Sequence, residues 1–332
     1  MLFGQFQNGH SKANLQIGES FTIEQLLNVL LVASGNDAAN VLAEYVAGNI
    51  DNFANMMNSK AKEIGCQNTN FTNPSGMHNE NHYSTAYDLA LIGQYAMKNK
   101  TFANIVRKKT CSLPVTNFYN SNDRVFNTTN ELLRESSSNY YKHAIGIKTG
   151  FTTPAGNCLV SKSSKDGLNF ICVVLGGSKN TQGTDTRFQD TIKLFNFGHD
   201  NFLNTTIVPG NSIIDTIEIN GATPDTKFLN LIIENDINVF INKQTLNETL
   251  APTITLDNNL SAPILSGNVV GRVSYNIEGN IYEANLIAQN NVEKDYTMYK
   301  VFLLVGLFLV IIALVVLILV CRRKKEVEYY DF

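Results

Sequence analysis

Two short stretches of this chain carry side chains whose types and spacing could do chemistry. In Ser34-Gly35-Asn36 the outer residues of an extended tripeptide point the same way, so a hydroxyl and a carboxamide are presented together. The second stretch is His143-Ala144-Ile145-Gly146-Ile147-Lys148-Thr149-Gly150. Read as a β-strand, it places Ile145 and Ile147 on a core face and Ala144, Gly146 and Lys148 on the other. Two tiny side chains there leave room beside one cation. A face pared down in this way predicts that another backbone, such as a substrate's, lies close along it. Taken alone, Ser-Gly-Asn reads as an ordinary turn or cap and a strand lysine as a solvated charge. The elements around them change that weighting.

Ser34-Gly35-Asn36 interrupts two apolar helical runs. The first follows Thr22, which makes a capping box with Gln25, and covers Ile23 to Ala33. The second spans about Asp37 to Ala47, with Gly48 as its stop. Asp51 is expected to cap a third helix that ends at Gly65, and Thr85 with Asp88 to make a second capping box for a fourth. Residues 110–142 are Asn- and Ser-rich and read as loops, with a short strand around Cys111–Val115. After the lysine strand come strands at about Asn157–Ser163 and Asn169–Leu175, joined by a Lys165-Asp166-Gly167 hairpin turn. Asp185 to Phe197 reads as an amphipathic helix.

From about Asn204 the texture changes to short β-branched runs separated by Gly, Asn, Asp and Pro, which predicts a small all-β sandwich over 204–292. It shows no catalytic constellation and reads as a spacer, stalk or docking module. A linker at 293–300 leads to Val301–Val320, twenty apolar residues without a charge or proline. At about 1.5 Å per residue they match the ~30 Å hydrocarbon core of a bilayer. A membrane helix at 301–321 and a tail at 322–332 are therefore expected. Arg322-Arg323-Lys324-Lys325 puts that tail in the cytoplasm and the bulk of the chain outside the cell membrane, with Tyr296 and Tyr299 at the interface. The 332 residues have a net charge of −3, with no basic stripe before the extreme C-terminus, which argues against a nucleic-acid partner. His78 and His82 lack both a third ligand and the order a zinc protease needs, so no metal site is expected.

Ser34-Gly35-Asn36, followed by Lys148-Thr149-Gly150 on a strand that opens a hairpin, makes two of the three motifs of penicillin-recognising active-site serine enzymes. The stretches around them (GESFTIEQ…TAYDLA, GIKTGFTTPAGNCLVS, LNFICVVLGG, TRFQDTIKLFNFG) closely resemble the serine-type D-alanyl-D-alanine carboxypeptidases, the low-molecular-mass penicillin-binding proteins of peptidase family S11. LSAPILSGNVVGRVSY resembles that family's C-terminal domain. The resemblance implies an α+β fold. A penicillin-binding-protein/β-lactamase-like transpeptidase domain would occupy 1–203, incomplete at its N-terminus and followed by the β domain and the anchor.

It also implies roles for individual residues. Ser34 would relay protons during acylation and deacylation, and Asn36 would hydrogen-bond the substrate's amides. Lys148 would stabilise developing negative charge, with Thr149 and Gly150 lining the site for the substrate's terminal carboxylate. Arg187 would supply a second cation for that carboxylate, or else is a solvated residue of a helix's first turn. The implied substrate is the D-Ala-D-Ala end of a peptidoglycan stem peptide, β-lactams would bind the intact enzyme, and no cofactor is implied.

The family's nucleophile is the serine of an S-x-x-K motif upstream of S-x-N. Ser59-Lys60-Ala61-Lys62 fits those letters, but it follows Ser34 and sits midway along an amphipathic helix, as a chance match would. Met1–Asn8 has no basic n-region, apolar h-region or cleavage site. The chain is accordingly expected to be N-terminally truncated, without the S-x-x-K segment, the first sheet strands and an export signal. The alternative expectation is a non-catalytic, membrane-anchored wall-binding protein or an inactive gene fragment.

Overall fold

The computed structural model describes residues 11–120, 124–179, 181, 183, 185–247 and 250–329. By internal contacts the chain forms two compact units, Met1–Leu203 and Asn204–Phe332.

The first unit opens with helices α1 (Ile23–Ala33), α2 (Asn36–Ala47) and α3 (Ile50–Ile64). Thr22 caps α1 as expected: its hydroxyl accepts from the Gln25 N–H at 3.2 Å, and Gln25 Oε1 accepts from the Thr22 N–H at 2.8 Å. The third helix starts two residues earlier than expected, capped by Asn49 rather than Asp51. Helix α4 (Ala86–Ala96) has the Thr85 cap but only half of the expected box. The Asp88 carboxylate turns away to accept from the Asn68 N–H and the Thr69 hydroxyl. A long-range demand for acceptors outbids the local cap here. A short helix that the sequence reading passed over, α5 (Lys100–Val106), follows.

Within 110–142 the structure builds a pair of short strands, β1 (Thr110–Ser112) and β2 (Val125–Asn127), rather than one strand. Ala13, Leu15, Leu26, Val29, Ala38, Leu42 and Leu113 form the core shared by α1, α2 and this strand pair. Strands β3 (Ala144–Thr152), β4 (Gly156–Lys165) and β5 (Leu168–Gly177) make an antiparallel sheet in that order. Asp166 and Gly167 both adopt positive φ in the turn between β4 and β5, the two-residue geometry that Asp-Gly favours. Helix α6 (Thr186–Asn201) packs Phe188 and Phe195 against Leu159 and Cys172, while Gly93 of α4 faces Val160 and Ile171. Leu159 and Val160 are successive strand residues, so helices cover both faces of the sheet.

Strand β3 departs from simple alternation. A bulge between Ala144 and Gly146 sends Ala144 into the Leu159–Cys172 core, so it does not lie beside Lys148 as expected. The close backbone predicted beside Gly146 belongs to the protein itself. A Cβ there would sit 2.8 Å from the Val106 carbonyl oxygen of α5, and φ is +126°.

In the second unit, strands β10 (Thr253–Leu256), β11 (Val269–Ile277), β12 (Asn280–Ala288), β8 (Phe228–Ile232) and β7 (Ile213–Glu218) form one sheet in that order. A second sheet pairs β6 (Phe202–Val208) with β9 (Ile237–Asn242). Leu229, Leu231, Ile241, Val273, Leu286 and their neighbours fill the core. Helix α7 (Thr297–Tyr329) includes the apolar stretch Thr297–Val320 and so begins ahead of the expected 301.

Candidate active site

The turn between α1 and α2 presents the Ser-Gly-Asn motif. Ser34 ends α1 in the left-handed region (φ 63°, ψ 37°), an uncommon state for a residue with a Cβ. Gly35 is the N-cap of α2, and a Cβ there would lie 2.9 Å from Val29 Cγ1, so the tight joint needs glycine. The Asn36 N–H donates to the Ser11 carbonyl at 3.0 Å, and its side-chain Nδ2 meets Met77 Sδ at 3.8 Å. Buried Asp37 holds the joint from behind. Its carboxylate accepts from the N–H groups of Ala13 (2.9 Å), Leu15 (3.1 Å) and Ala38 (3.0 Å).

Strand β3 brings Lys148 to this turn from 114 residues away. Nζ donates to Ser34 Oγ at 2.8 Å and to the Thr149 carbonyl at 2.9 Å. Burial, and then the Arg187 charge, pull the Lys148 ammonium down to about 8 from its usual 10.5. Thr149 is buried, with its hydroxyl 2.5 Å from the Thr129 hydroxyl. The Thr129 N–H in turn donates to Val32 of α1 at 3.3 Å, so one residue ties the sheet to the helical layer. Arg187, in the first turn of α6, does not extend into solvent. Nη1 donates to the carbonyls of Gly150 (2.9 Å) and Cys158 (3.2 Å), and Nε lies 2.9 Å from Asp185 Oδ2.

Ser34, Lys148, Thr149, Gly150 and Arg187 thus form one chain of contacts, and Asn36 sits two residues from Ser34 on the same turn. The arrangement joins a hydroxyl to an amine that gives up its proton more readily than an ordinary lysine, beside a second cation. Such a site suits proton transfer at a carbonyl and the attraction of a carboxylate. Ser59 and Lys62, by contrast, are exposed on α3, where the intervening Lys60 pairs with Glu63 at 2.6 Å. His82 Nδ1 lies 3.1 Å from the Thr72 amide nitrogen.

The sequence reading did not find Thr129, Asp37 as an anchor, or Met77, which Asn73 clamps through both its N–H (3.0 Å) and its carbonyl (2.9 Å). Asp37 had a usable signal, because a carboxylate that follows a Ser-Gly-Asn break directly can fold back on the joint. Thr129 had none, since its loop has no periodicity.

Comparison with known proteins identifies the family of the chain. Residues 3–179 match the family model of the peptidase S11 D-alanyl-D-alanine carboxypeptidases, and residues 202–294 match that of the penicillin-binding protein 5 C-terminal domain. The D-alanyl-D-alanine carboxypeptidase DacF of Bacillus subtilis is 28% identical over 86% of this chain and 70% of its own length. DacA of Haemophilus influenzae is 32% identical over 85% of this chain and 68% of its own. Among solved structures, the carboxypeptidase DacD of Francisella tularensis superimposes with a TM-score of 0.62 at 27% identity, covering 86% of this chain and 79% of that one. Penicillin binding protein 5 of H. influenzae gives a TM-score of 0.60 at 29% identity, with the same coverage.

Proposed function

Because this chain belongs to the serine-type D-alanyl-D-alanine carboxypeptidase family, with that family's transpeptidase fold and C-terminal all-β domain, we propose that the site around Ser34 and Lys148 takes the D-Ala-D-Ala end of a peptidoglycan stem peptide. The reaction proposed is the family's: attack by the serine of its S-x-x-K motif releases the terminal D-alanine and leaves an acyl-enzyme, which water then hydrolyses. Splitting one hard amide hydrolysis into two acyl transfers lowers each barrier, and the developing oxyanion is held by N–H donors.

The observation that carries this reading is the 2.8 Å contact of Lys148 Nζ with Ser34 Oγ. It joins the two motifs across the helical and sheet layers. Ser34 relays the proton between the hydroxyl of the S-x-x-K serine and the leaving amine, Asn36 bonds the substrate's amide, and Lys148 stabilises negative charge. Thr149, Gly150 and Arg187 receive the terminal carboxylate, and β-lactams compete for the same site. Residues 1–203 serve as the catalytic domain, 204–292 as the β domain and 293–300 as a linker. The apolar segment 301–321 anchors the protein in the cell membrane, with a cytoplasmic tail at 322–332 and the bulk of the chain outside.

The test is to incubate the detergent-solubilised chain with a stem pentapeptide and measure free D-alanine while following peptide binding. Release that penicillin blocks supports the carboxypeptidase. Binding without release supports a non-catalytic wall-binding protein, and neither binding nor release overturns both.

A further inference from the structure

We propose that Thr129 is a positioning residue for the carboxylate site: its hydroxyl donates to the Thr149 hydroxyl and so commits the Thr149 proton to the terminal carboxylate of a bound peptide. The inference rests on the reading that Thr149 lines that site, and deepens it by naming the residue that sets the direction of its hydrogen bond.

A threonine hydroxyl has one proton and two lone pairs, whereas a carboxylate only accepts. Thr149 is largely buried, and among the described residues its hydroxyl meets one partner, the Thr129 hydroxyl at 2.5 Å. One proton lies between the two oxygens. If Thr149 supplied it, an arriving carboxylate would meet only lone pairs. If Thr129 supplies it, Thr149 keeps its own proton for the carboxylate and its oxygen is satisfied from behind. The second arrangement runs from Thr129 to Thr149 to the carboxylate, and each bond in it polarises the next. A carboxamide end offers a neutral oxygen and gains less from the same donor.

Thr129 can hold this direction because its backbone is fixed on both sides. Its N–H donates to the Val32 carbonyl at 3.3 Å, two residues before Ser34. The Thr128 N–H donates to the Lys109 carbonyl at 2.8 Å, and the Asn130 side chain accepts from the Leu132 N–H at 3.1 Å. Thr128 and Asn130 are both buried. A β-branched side chain on so restrained a backbone has few choices of χ1. Among the described residues the Thr129 hydroxyl has no partner besides Thr149, so no other protein group competes for its proton. The bonds from Lys148 to Ser34 Oγ and to the Thr149 carbonyl do not involve this hydroxyl, and its removal leaves them in place.

The experiment is calorimetric titration of the full 332-residue chain in detergent with a stem pentapeptide ending in D-Ala-D-Ala and with its C-terminal amide, for the wild type, Thr129→Val and Thr129→Ser. Valine keeps the shape and removes the donor, whereas serine keeps the donor. The expected result is about 3–10-fold weaker binding of the carboxylate peptide by Thr129→Val, with the amide unchanged and Thr129→Ser like the wild type. Thr129→Ala, which removes the hydroxyl without apolar bulk, makes the same test if Thr129→Val does not fold. Equal loss of affinity for both peptides marks a structural role and overturns the proposal, as does a serine variant that behaves like the valine one. A valine variant that keeps the full preference for the carboxylate also overturns it, and leaves the reading of the site standing. A wild-type chain that binds neither peptide, or both equally, overturns that reading and this inference with it.

Discussion

Lys148 is the residue on which the proposed chemistry turns, and its environment makes a signed prediction. Burial and Arg187 lower it to about 8 from 10.5, which corresponds to roughly 3 kcal/mol of disfavoured charge. Below pH 8 the folded and unfolded chains both hold this proton, so the full penalty applies. Between about 8 and 10.5 the folded state releases the proton first and stability rises with pH. Lys148→Met should therefore raise the melting temperature at pH 7 and flatten the rise above pH 8, as read by thermal denaturation across that range. An unchanged pH slope would mean that the ammonium is not desolvated.

At the same scale, the pairing of Ser34 with Lys148 was legible from two motifs. The alternation rule failed at Ala144, because a bulge is invisible to a period-2 reading. Gly146 was read correctly as a close approach but with the wrong partner. Its neighbour is Val106, on the short helix that the reading passed over.

The elements position these residues through long-range polar ties more than through local caps. Asp37 illustrates this, since its carboxylate gathers Ala13, Leu15 and the start of α2 behind Ser34. Asp37→Ala should leave the Ala13 and Leu15 N–H groups buried without acceptors, at about 1–3 kcal/mol each. The expected outcome is a lower melting temperature and faster amide exchange at Ala13 and Leu15. Unchanged exchange there would remove Asp37 from its anchoring role. Helices α1 and α2 and strands β3 to β5 were readable because caps, glycine stops and a two-residue Asp-Gly turn are local signals. Residues 110–142 were not, because their structure depends on partners distant in sequence. Thr129 bonds to Thr149, and Arg124 pairs with Glu19 at 3.0 Å while its guanidinium lies 4.1 Å from the Tyr119 ring centre.

At the scale of the whole molecule, each unit has its own core. The second unit buries a full set of aliphatic residues between its two sheets without help from the first. A fragment of residues 204–296 should therefore fold alone, with a single cooperative unfolding transition by circular dichroism. A broad, non-cooperative melt would show that its core is incomplete. Removal of residues 297–332 should release the chain from membranes into the aqueous fraction, as expected if Thr297–Val320 is the anchor.

The central proposal is a site that recognises a terminal carboxylate through Lys148, Thr149 and Arg187. Calorimetric titration of the folded chain with a stem pentapeptide ending in D-Ala-D-Ala, and with the same peptide amidated at its C-terminus, tests this most directly. The account predicts at least about tenfold weaker binding of the amide, a difference of about 1.4 kcal/mol or more, and loss of that discrimination in Lys148→Met. Equal affinity for the two peptides, or full discrimination without Lys148, would contradict it.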